Sequence, residues 1–162
     1  VLSVPEKVIA KGAQYYFNRA YDDLINGDYS GAISDFNEVL ELDPKFSMSY
    51  YHRGYSKHVL KDNYGAISDY TKAIKINPKF SKAYYQRGYS KHKLKDYYGA
   101  ISDYTKVIEI NPNDSTSYYN RGLAKHDLED NQGAISDYTK VIKCMWVFGP
   151  WHAANVYPKQ PC

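Results

Sequence analysis

The chain has 162 residues, of which 24% are charged and 43% hydrophobic, and 21 basic and 18 acidic residues give a net charge of +3. This length suits one compact domain, and the balance of residue types excludes a disordered or a membrane-embedded chain. The weak, mixed charge argues against a nucleic-acid binder. The 19 tyrosines are the unusual feature, so a large aromatic surface has to be accounted for.

The sequence favours an intracellular protein. No run of about 18 apolar residues occurs, and residues 1–11 lack the apolar core of a secretory signal. The two cysteines, Cys144 and Cys162, both lie near the carboxyl end. A disulfide framework is therefore not expected, and the composition predicts a soluble, cytoplasmic protein.

The first element in chain order is a lead-in over residues 1–12. Ser3 and Glu6 are spaced as in a capping box, with Pro5 early in the first turn. A helix is therefore predicted to begin near this point, with Gly12 as a break before the next element.

A repeat of 34 residues occupies most of the chain. The segment Gly-Ala-Ile-Ser-Asp recurs at this constant spacing, beginning at Gly31, Gly65, Gly99 and Gly133. Residues 47–80 and 81–114 are identical at 25 of 34 positions. Such self-similarity is the signature of a repeat architecture. The predicted units are 13–46, 47–80, 81–114 and 115–143, followed by a tail over 144–162.

Each unit is predicted to form two antiparallel helices. In the second unit, apolar residues follow 3–4 spacing in both halves, and the polar turn at 61–63 separates them. Gly54 and Ala66 are small enough for the helices to approach to about 8 Å, and Pro78 ends the second helix. The predicted pairs are 14–26 with 30–42, 48–60 with 64–76, 82–94 with 98–110, and 116–128 with 132–143.

The tail departs from the repeat. An asparagine or aspartate followed by proline is expected near 145–146, but Met145 and Trp146 stand there, and Trp151 follows. A solenoid needs its last unit capped, because an open end exposes apolar surface. Three interpretations stay open: the tail is an improvised cap, it packs on a neighbouring molecule, or it is non-native sequence without a selected role.

The repeated residues resemble those of the tetratricopeptide repeat. The second unit supplies its aromatic, glycine, alanine and proline positions as Tyr50, Gly54, Ala66, Tyr70, Ala73 and Pro78. The resemblance extends over residues 13–143. It implies an all-α, right-handed α-solenoid of about four helix-turn-helix units whose function is to bind other proteins.

In this family the first helices of successive units line a concave groove that binds peptides. Carried over by register, the resemblance implies two aromatic rows, one polar row and one lysine beside it. The aromatic rows are Phe17, Tyr51, Tyr85 and Tyr119, and Tyr21, Tyr55 and Tyr89 ending at Leu123; the polar row is Asn18, His52, Gln86 and Asn120, and the lysine is Lys82. Tyrosine suits a recognition surface because it combines a large ring with a hydroxyl.

Six other tyrosines are interpreted as core or helix-packing residues. They occupy the aromatic positions of the repeat pattern on either helix of a unit. They are Tyr50, Tyr84, Tyr118, Tyr70, Tyr104 and Tyr138.

The best-known groove chemistry of the family is a clamp of lysines, asparagines and arginine for the terminal carboxylate of chaperones. The corresponding positions hold Phe17 and Tyr21 in the first unit, and Gln86 in place of arginine in the third. Of the clamp's polar groups, Lys82 and a few amides remain. The sequence therefore disfavours binding of chaperone tails by that mechanism.

Two recurring departures from the family pattern carry charge. Arginines stand where leucine is usual, and lysines where tyrosine is usual; these are Arg53, Arg87 and Arg121, and Lys57, Lys91 and Lys125. A buried guanidinium has to be paired, and each unit offers an aspartate in its second helix, namely Asp69, Asp103 or Asp137. Structural ion pairs are the favoured interpretation, with ligand contact as the alternative.

His58, His92 and His126 recur once per unit and raise the question of a metal site. Zinc needs ligand atoms within about 2.1 Å of one point, whereas equivalent residues of stacked helices lie about 8–10 Å apart. No metal or cofactor is therefore expected. The sequence also lacks a glycine-rich phosphate loop and a serine with an attached histidine, so an enzyme is the least favoured class.

The leading hypothesis is a non-enzymatic scaffold that binds a peptide or a partner helix in a tyrosine-rich groove. The first alternative is a structural element that self-associates through its tail and open ends, giving a homo-oligomer. The second is single-stranded nucleic-acid binding, which the mixed charge disfavours.

Overall fold

A computed structural model of the protein describes the backbone of residues 6–147 and the side chains of residues 11–143. The described chain forms eight helices joined by short turns. They are α1 (Glu6–Asn26), α2 (Tyr29–Leu42), α3 (Ser47–Val59), α4 (Asn63–Ile76), α5 (Ser81–Lys93), α6 (Tyr97–Ile110), α7 (Ser115–Asp127) and α8 (Asn131–Val147). No strand occurs within residues 6–147, and the predicted all-α fold is confirmed.

The helices form four antiparallel pairs that stack in chain order. Each odd-numbered helix packs on the helix that follows it, and each even-numbered helix before α8 also packs on the first helix of the next pair. The first helices of neighbouring pairs touch as well, α3 with α5 and α5 with α7. The resulting α-solenoid brings one face of α1, α3, α5 and α7 side by side. None of the described helices has the length and apolarity needed to cross a bilayer.

Small residues allow the two helices of a pair to approach closely. Ala32, Ala66 and Ala100 on the second helices are fully buried. Opposite Ala66, a Cβ atom added at Gly54 would lie 2.9 Å from Cε1 of the Tyr70 ring. Any side chain at this position would have to displace that ring, so the glycine is a packing requirement.

The two helices of a pair are joined by a Schellman motif. In the second unit, the amides of Lys61 and Asp62 donate to the carbonyls of His58 and Lys57, each at 2.9 Å, and Lys61 has φ of 69°. Asp62 then caps α4 by accepting from the Gly65 amide at 2.8 Å. The equivalent left-handed residues are Gly27, Lys95 and Glu129. The Gly-Ala-Ile-Ser-Asp segment therefore begins in the first turn of a helix, where glycine leaves room for the capping carboxylate.

The start of α1 differs from the sequence-based prediction. The helix runs from Glu6 to Asn26 without a break at Gly12. A Cβ atom at Gly12 would lie 3.2 Å from Cδ1 of Leu42 on α2. Gly12 is thus a point of close helix contact rather than a break. The predicted capping box begins at Ser3, which lies outside the described residues.

The end of α8 also differs from the prediction. This helix continues to Val147 instead of ending at Lys143. The earlier second helices end where an aspartate or asparagine precedes a proline, as at Asn77. Met145 and Trp146 occupy the equivalent place and impose no such restriction. The rest of the tail, residues 148–162, lies outside the described residues. The structure therefore does not test the three interpretations of the tail.

In the second, third and fourth units, a buried carboxylate on the second helix holds two cations of the first helix, whereas among the described residues Asp35 of the first unit pairs with Arg19 alone. In the third unit, Nε and Nη2 of Arg87 donate to Asp103 at 2.9 and 2.6 Å, and Nζ of Lys91 lies 2.8 Å from Oδ2 of the same residue. Asp103 is only 2% exposed, so its charge has to be compensated within the protein. The same arrangement joins Arg53 and Lys57 to Asp69, and Arg121 and Lys125 to Asp137. The predicted ion pairs are confirmed, and the recurring lysines are their second cations.

These ion pairs also connect neighbouring units. The Nη1 atom of each arginine reaches back to the preceding second helix: Arg53 to Asn37 at 2.6 Å, Arg87 to Thr71 at 3.0 Å, and Arg121 to Thr105 at 3.0 Å. Burial alone would raise the pKa of Asp137, but the hydrogen bonds from Arg121 and Lys125 outweigh it, and the pKa is lowered. The charged network therefore fixes both the pairing of helices and the stacking of units.

Candidate peptide-binding groove

The residues that register assigns to the groove lie at equivalent positions of α1, α3, α5 and α7. We call Phe17, Tyr51, Tyr85 and Tyr119 the inner row, Tyr21, Tyr55, Tyr89 and Leu123 the outer row, and Asn18, His52, Gln86 and Asn120 the polar row. Each row thus takes one residue from each unit. Because α3 contacts α5, α5 contacts α7, and Phe17 of α1 meets the His52 ring of α3, the rows continue from unit to unit.

The inner row rests on the second helices. Each of its rings contacts the aromatic ring of its own unit's second helix, with centroid distances between 5.8 and 6.0 Å. These pairs are Phe17–Phe36, Tyr51–Tyr70, Tyr85–Tyr104 and Tyr119–Tyr138. Tyr70, Tyr104 and Tyr118 are buried, as expected for core residues, whereas Tyr50, Tyr84 and Tyr138 are half-buried. The inner row is therefore a rigid floor, partly core and partly surface.

Two further aromatic residues belong to this floor, although register did not assign them to it. Phe46 stacks on Phe17 and Phe80 packs on Tyr51, both with ring centroids 5.0 Å apart. The signal was present in the sequence, since Phe46 and Phe80 are separated by 34 positions. Asp114 occupies the same position in the next unit, so the aromatic residue recurs only twice and the register of the groove rows did not include it.

One amide of the polar row binds a tyrosine of the inner row. Nδ2 of Asn120 donates to the Tyr85 hydroxyl oxygen at 3.0 Å, and the Gln86 side chain lies near Tyr51 at the equivalent place one unit earlier. Burial raises the pKa of both tyrosines, and the neighbouring amides partly oppose the rise. The Asn120 amide thus joins two neighbouring units and orients the Tyr85 hydroxyl.

His52 takes the place of the amide in the second unit. Its ring stacks on Phe36 at 5.9 Å and meets the edges of Phe17, Tyr21 and Tyr51 at 5.0–6.0 Å. Phe17 has no hydroxyl, so an aromatic partner replaces the amide contact of the other units. Burial, assisted by the nearby Lys82 ammonium, lowers the pKa of His52 to about 4. The ring is therefore neutral near pH 7 and is part of the aromatic surface.

Protonation of His52 is expected to destabilise the fold. Its pKa falls from 6.5 in the unfolded chain to about 4 in the folded one, so the unfolded state binds more protons at intermediate pH and stability is lost as the pH falls. Between pH 7 and pH 5 the contribution is roughly 1–2 kcal/mol after allowing for partial exposure. Urea unfolding of wild type and His52→Gln at both values measures it. A pH slope unchanged by the substitution would contradict the assignment.

Two tyrosines of the outer row are exposed, and so is Tyr119 at the end of the inner row, at 48%. Tyr21 and Tyr55 are 45% and 36% exposed, and Tyr89 is half-buried. Their rings are supported from the side, Tyr21 by Phe17 and Tyr89 by His58 at 5.4 Å. Among the described residues, no hydrogen-bond partner contacts the three outer-row hydroxyls. Tyr21 and Tyr55 therefore combine exposed rings with hydroxyls that the described part of the protein does not use.

Two lysines of α5 add positive charge to the groove. Lys82 and Lys93 are both exposed, and Nζ of Lys93 lies 5.1 Å from the centroid of the Tyr89 ring. Within the described side chains, no carboxylate lies at ion-pair distance from either lysine. Oδ2 of Asp127 on α7 lies 2.8 Å from Nε2 of His92. The third unit thus carries two exposed cations without carboxylate partners among the described side chains.

The histidines that recur once per unit do not converge. His58 bonds Oδ1 of Asn63 through Nδ1 at 2.8 Å, and His92 contacts Asp127. Within the described residues, no group of three or more potential ligand side chains is placed to hold a metal ion. His58 and His92 instead contact residues of the adjoining helices.

One serine approaches a histidine without forming a nucleophilic site. The Ser90 hydroxyl lies 3.4 Å from Nδ1 of His58, but Asn63 contacts the same ring nitrogen. A relay needs the orienting group and the nucleophile on opposite nitrogens of the imidazole. Ser90 is also fully buried, so no substrate reaches it.

The fold and the stacked aromatic rows define a helical-repeat protein of the α-solenoid class. Tetratricopeptide repeat models match residues 13–46, 49–80, 81–114 and 103–136. The chain belongs to the tetratricopeptide repeat family. No curated protein sequence gives a significant match.

Several solved structures share this fold. The crystal structure of MamA is 22% identical, with a TM-score of 0.81, over 85% of this chain and 81% of that one. MamA of Desulfovibrio magneticus RS-1, from residue 41 to its end, is 24% identical, with a TM-score of 0.79, over 84% and 77%. The first repeat domain of Spaghetti (RPAP3), solved with an HSP90 peptide, is 24% identical, with a TM-score of 0.72, over 74% and 94%.

Proposed function

We propose that this chain is a non-enzymatic interaction scaffold that binds a peptide or a partner helix in the groove. The observation that supports it is the outer row, where Tyr21 and Tyr55 keep large rings at the surface on one continuous face. Exposed aromatic residues on a rigid support are the usual anchors of protein interfaces. The RPAP3 domain, which shares the fold, was solved with a peptide bound.

Selection from a displayed peptide library tests this function. Tyr21→Ala combined with Tyr55→Ala removes two exposed anchors without opening the core. Enrichment of the selected peptides is expected to fall roughly tenfold or more, since each anchor contributes about 1 kcal/mol or more. Tyr64→Ala is the matched control, because Tyr64 is 76% exposed on α4 and outside the three rows. Equal enrichment by the wild type, the double variant and Tyr64→Ala would contradict peptide binding in the groove.

Self-association through α8 is a second candidate function. Ile142 of α8 is 55% exposed, whereas the equivalent Ile108 of α6 is 9% exposed because α7 covers it. Ile135 is 57% exposed on the same helix. In each earlier unit this face is the site at which the next pair stacks, so a second molecule could occupy it.

Sedimentation over a range of protein concentrations tests self-association. The apparent mass of the wild type is expected to rise above the monomer value of 18.7 kDa as concentration increases. Ile135→Lys combined with Ile142→Lys is expected to keep the mass at that value, because two charges would be buried by association. A wild type that stays monomeric throughout would exclude this candidate.

A further inference from the structure

We propose that α8 carries a second binding site, separate from the groove, for a repeat-type helix pair of another protein. The site is the side of α8 that bears Ile135, Thr139 and Ile142, and we call it the α8 face. Self-association was assigned to the same face, but a different occupant matches it. The support comes from the joints inside the chain, where an equivalent face is packed against its occupant.

The α8 face has the same residues as the face of α6 that receives α7. Residues 99–108 and 133–142 share the sequence Gly-Ala-Ile-Ser-Asp-Tyr-Thr-Lys-Val-Ile. On α6 this face is covered by α7, and Ile108 is 9% exposed. On α8 the equivalent Ile142 is 55% exposed, and Ile135 is 57% exposed whereas the equivalent Ile101 is half-buried. A face that binds a helix in the third unit is therefore repeated in the fourth, where the described chain does not cover it.

The hydrogen-bonding group of the joint is also in place on α8. In the joint between α6 and α7, Oγ1 of Thr105 accepts from Nη1 of Arg121 at 3.0 Å and donates to the Ile101 carbonyl at 2.7 Å. Thr139 donates to the Ile135 carbonyl in the same way, also at 2.7 Å. No donor among the described residues contacts its hydroxyl oxygen. Thr139 is therefore oriented to accept a hydrogen bond from the arginine of an incoming helix.

The helices that fill the joints share a pattern of small residues. Each has two serine or alanine residues seven positions apart, all of them fully buried, and its arginine stands four positions after the first of these. Ala124 of α7, for example, packs in one cluster with Tyr104 of α6. The pairs of small residues are Ser49 and Ser56 on α3, Ala83 and Ser90 on α5, and Ser117 and Ala124 on α7. Small side chains let the incoming helix approach closely, so this pattern defines the occupant.

A second copy of the chain does not supply such a helix. In α1, Tyr15 and Asp22 stand at the two small positions on either side of Arg19, and both are exposed. A phenol ring and a carboxylate inside the joint would hold the helices apart and bury a charge. The helices α3, α5 and α7 are already packed on the helices that precede them. The occupant is therefore a helix pair of another chain that has this pattern.

The second helix of the partner also has a role. Thr139 offers its hydroxyl oxygen to one donor of the incoming arginine, so the other donors need a carboxylate from the partner itself. Asp137 provides this for Arg121, accepting from Nε and Nη2 at 2.9 and 2.6 Å. A partner with an aspartate on its second helix thus brings its arginine already paired, and only Nη1 remains for the α8 face.

Fluorescence anisotropy with two labelled peptides tests the site on the full chain. The first peptide reproduces residues 114–128, which include α7. The second carries Ser117→Tyr and Ala124→Asp, which give it the residues of α1. Because peptides of this length are only marginally helical alone, their affinities are compared with each other. The first is expected to bind roughly tenfold more tightly or better, since the second would bury a charge and an oversized ring.

Substitutions on α8 locate the bound peptide. Ile142→Lys is expected to weaken binding of the first peptide roughly tenfold or more, because association would bury an ammonium group. Thr139→Ala should weaken it roughly threefold to tenfold by removing one acceptor. Ile25→Lys is the matched control, since Ile25 is 72% exposed on α1, and it should change nothing.

The outcomes separate the α8 face from the groove and from self-association. Equal binding of the two peptides, or no saturable binding of either, would overturn the inference. Binding that is lost in Tyr21→Ala with Tyr55→Ala but kept in Ile142→Lys would move the peptide to the groove, which overturns the α8 site and agrees with the proposed function. Sedimentation that shows self-association abolished by Ile142→Lys, together with no peptide binding, would assign the face to a second copy.

Discussion

Asp103→Ala is expected to lower the free energy of unfolding by about 3–5 kcal/mol. The substitution leaves the guanidinium of Arg87 and the ammonium of Lys91 without the carboxylate that both of them contact. Arg87 is largely buried, with 15% of its side chain exposed, so water cannot fully replace the lost partner. Urea denaturation followed by circular dichroism measures the change.

A second substitution distinguishes loss of an ion pair from loss of packing. Arg87→Leu introduces the residue that is common at this position in the family and removes the unpaired charge. In the Asp103→Ala background it is expected to restore a large part of the lost stability, because an apolar group replaces a desolvated cation. If Arg87→Leu lowers stability equally in both backgrounds, the two residues do not act as a pair.

Tyr70→Ala is expected to cost about 3–5 kcal/mol, because it opens a cavity at the centre of a helix pair. Tyr70 is fully buried, and its ring lies against both Gly54 and the inner-row Tyr51. The cavity would also remove the support of the groove floor. Thermal unfolding and urea denaturation of the same variant measure the loss.

Tyr70→Phe is the matched control for this cavity. The hydroxyl of Tyr70 is buried without a hydrogen-bond partner, and burial raises the pKa of this phenol far above its ordinary value. Removing the hydroxyl should therefore leave stability unchanged or raise it by up to about 1 kcal/mol. The first unit already carries the smaller ring at this position, as Phe36. A large loss in Tyr70→Phe would show that the hydroxyl has a partner.

Much of the fold could be predicted because it depends on short-range chemistry repeated four times. The Asn77-Pro78 boundary, the 61–63 turn and the paired small residues Gly54 and Ala66 each restrict the backbone locally, and the helices follow from them. Gly12 was misleading because glycine has two roles. The same residue can end a helix or let another helix approach, and only the contact with Leu42 on α2 decides between them.

The groove could be predicted only in outline. Register places Tyr85, Asn120 and Tyr55 on one face, but it does not show that Asn120 bonds the Tyr85 hydroxyl while Tyr55 stays exposed. That distinction depends on distances between units, which no single unit contains. The low pKa of His52 has the same origin, since the rings that bury it come from three different helices.

The sequence by itself determined the period, the helix pairs and the ionic partners of the buried arginines, because a buried guanidinium requires a carboxylate and each unit offers Asp69 or its equivalent. The stacked structure decided which polar groups are used within the protein and which face outwards. Asn120 binds Tyr85 of the preceding unit, whereas the outer-row tyrosine hydroxyls have no hydrogen-bond partner within the described part of the chain. The reason is physical: hydrogen bonding depends on approach within about 3 Å, and that approach is set by how the units stack.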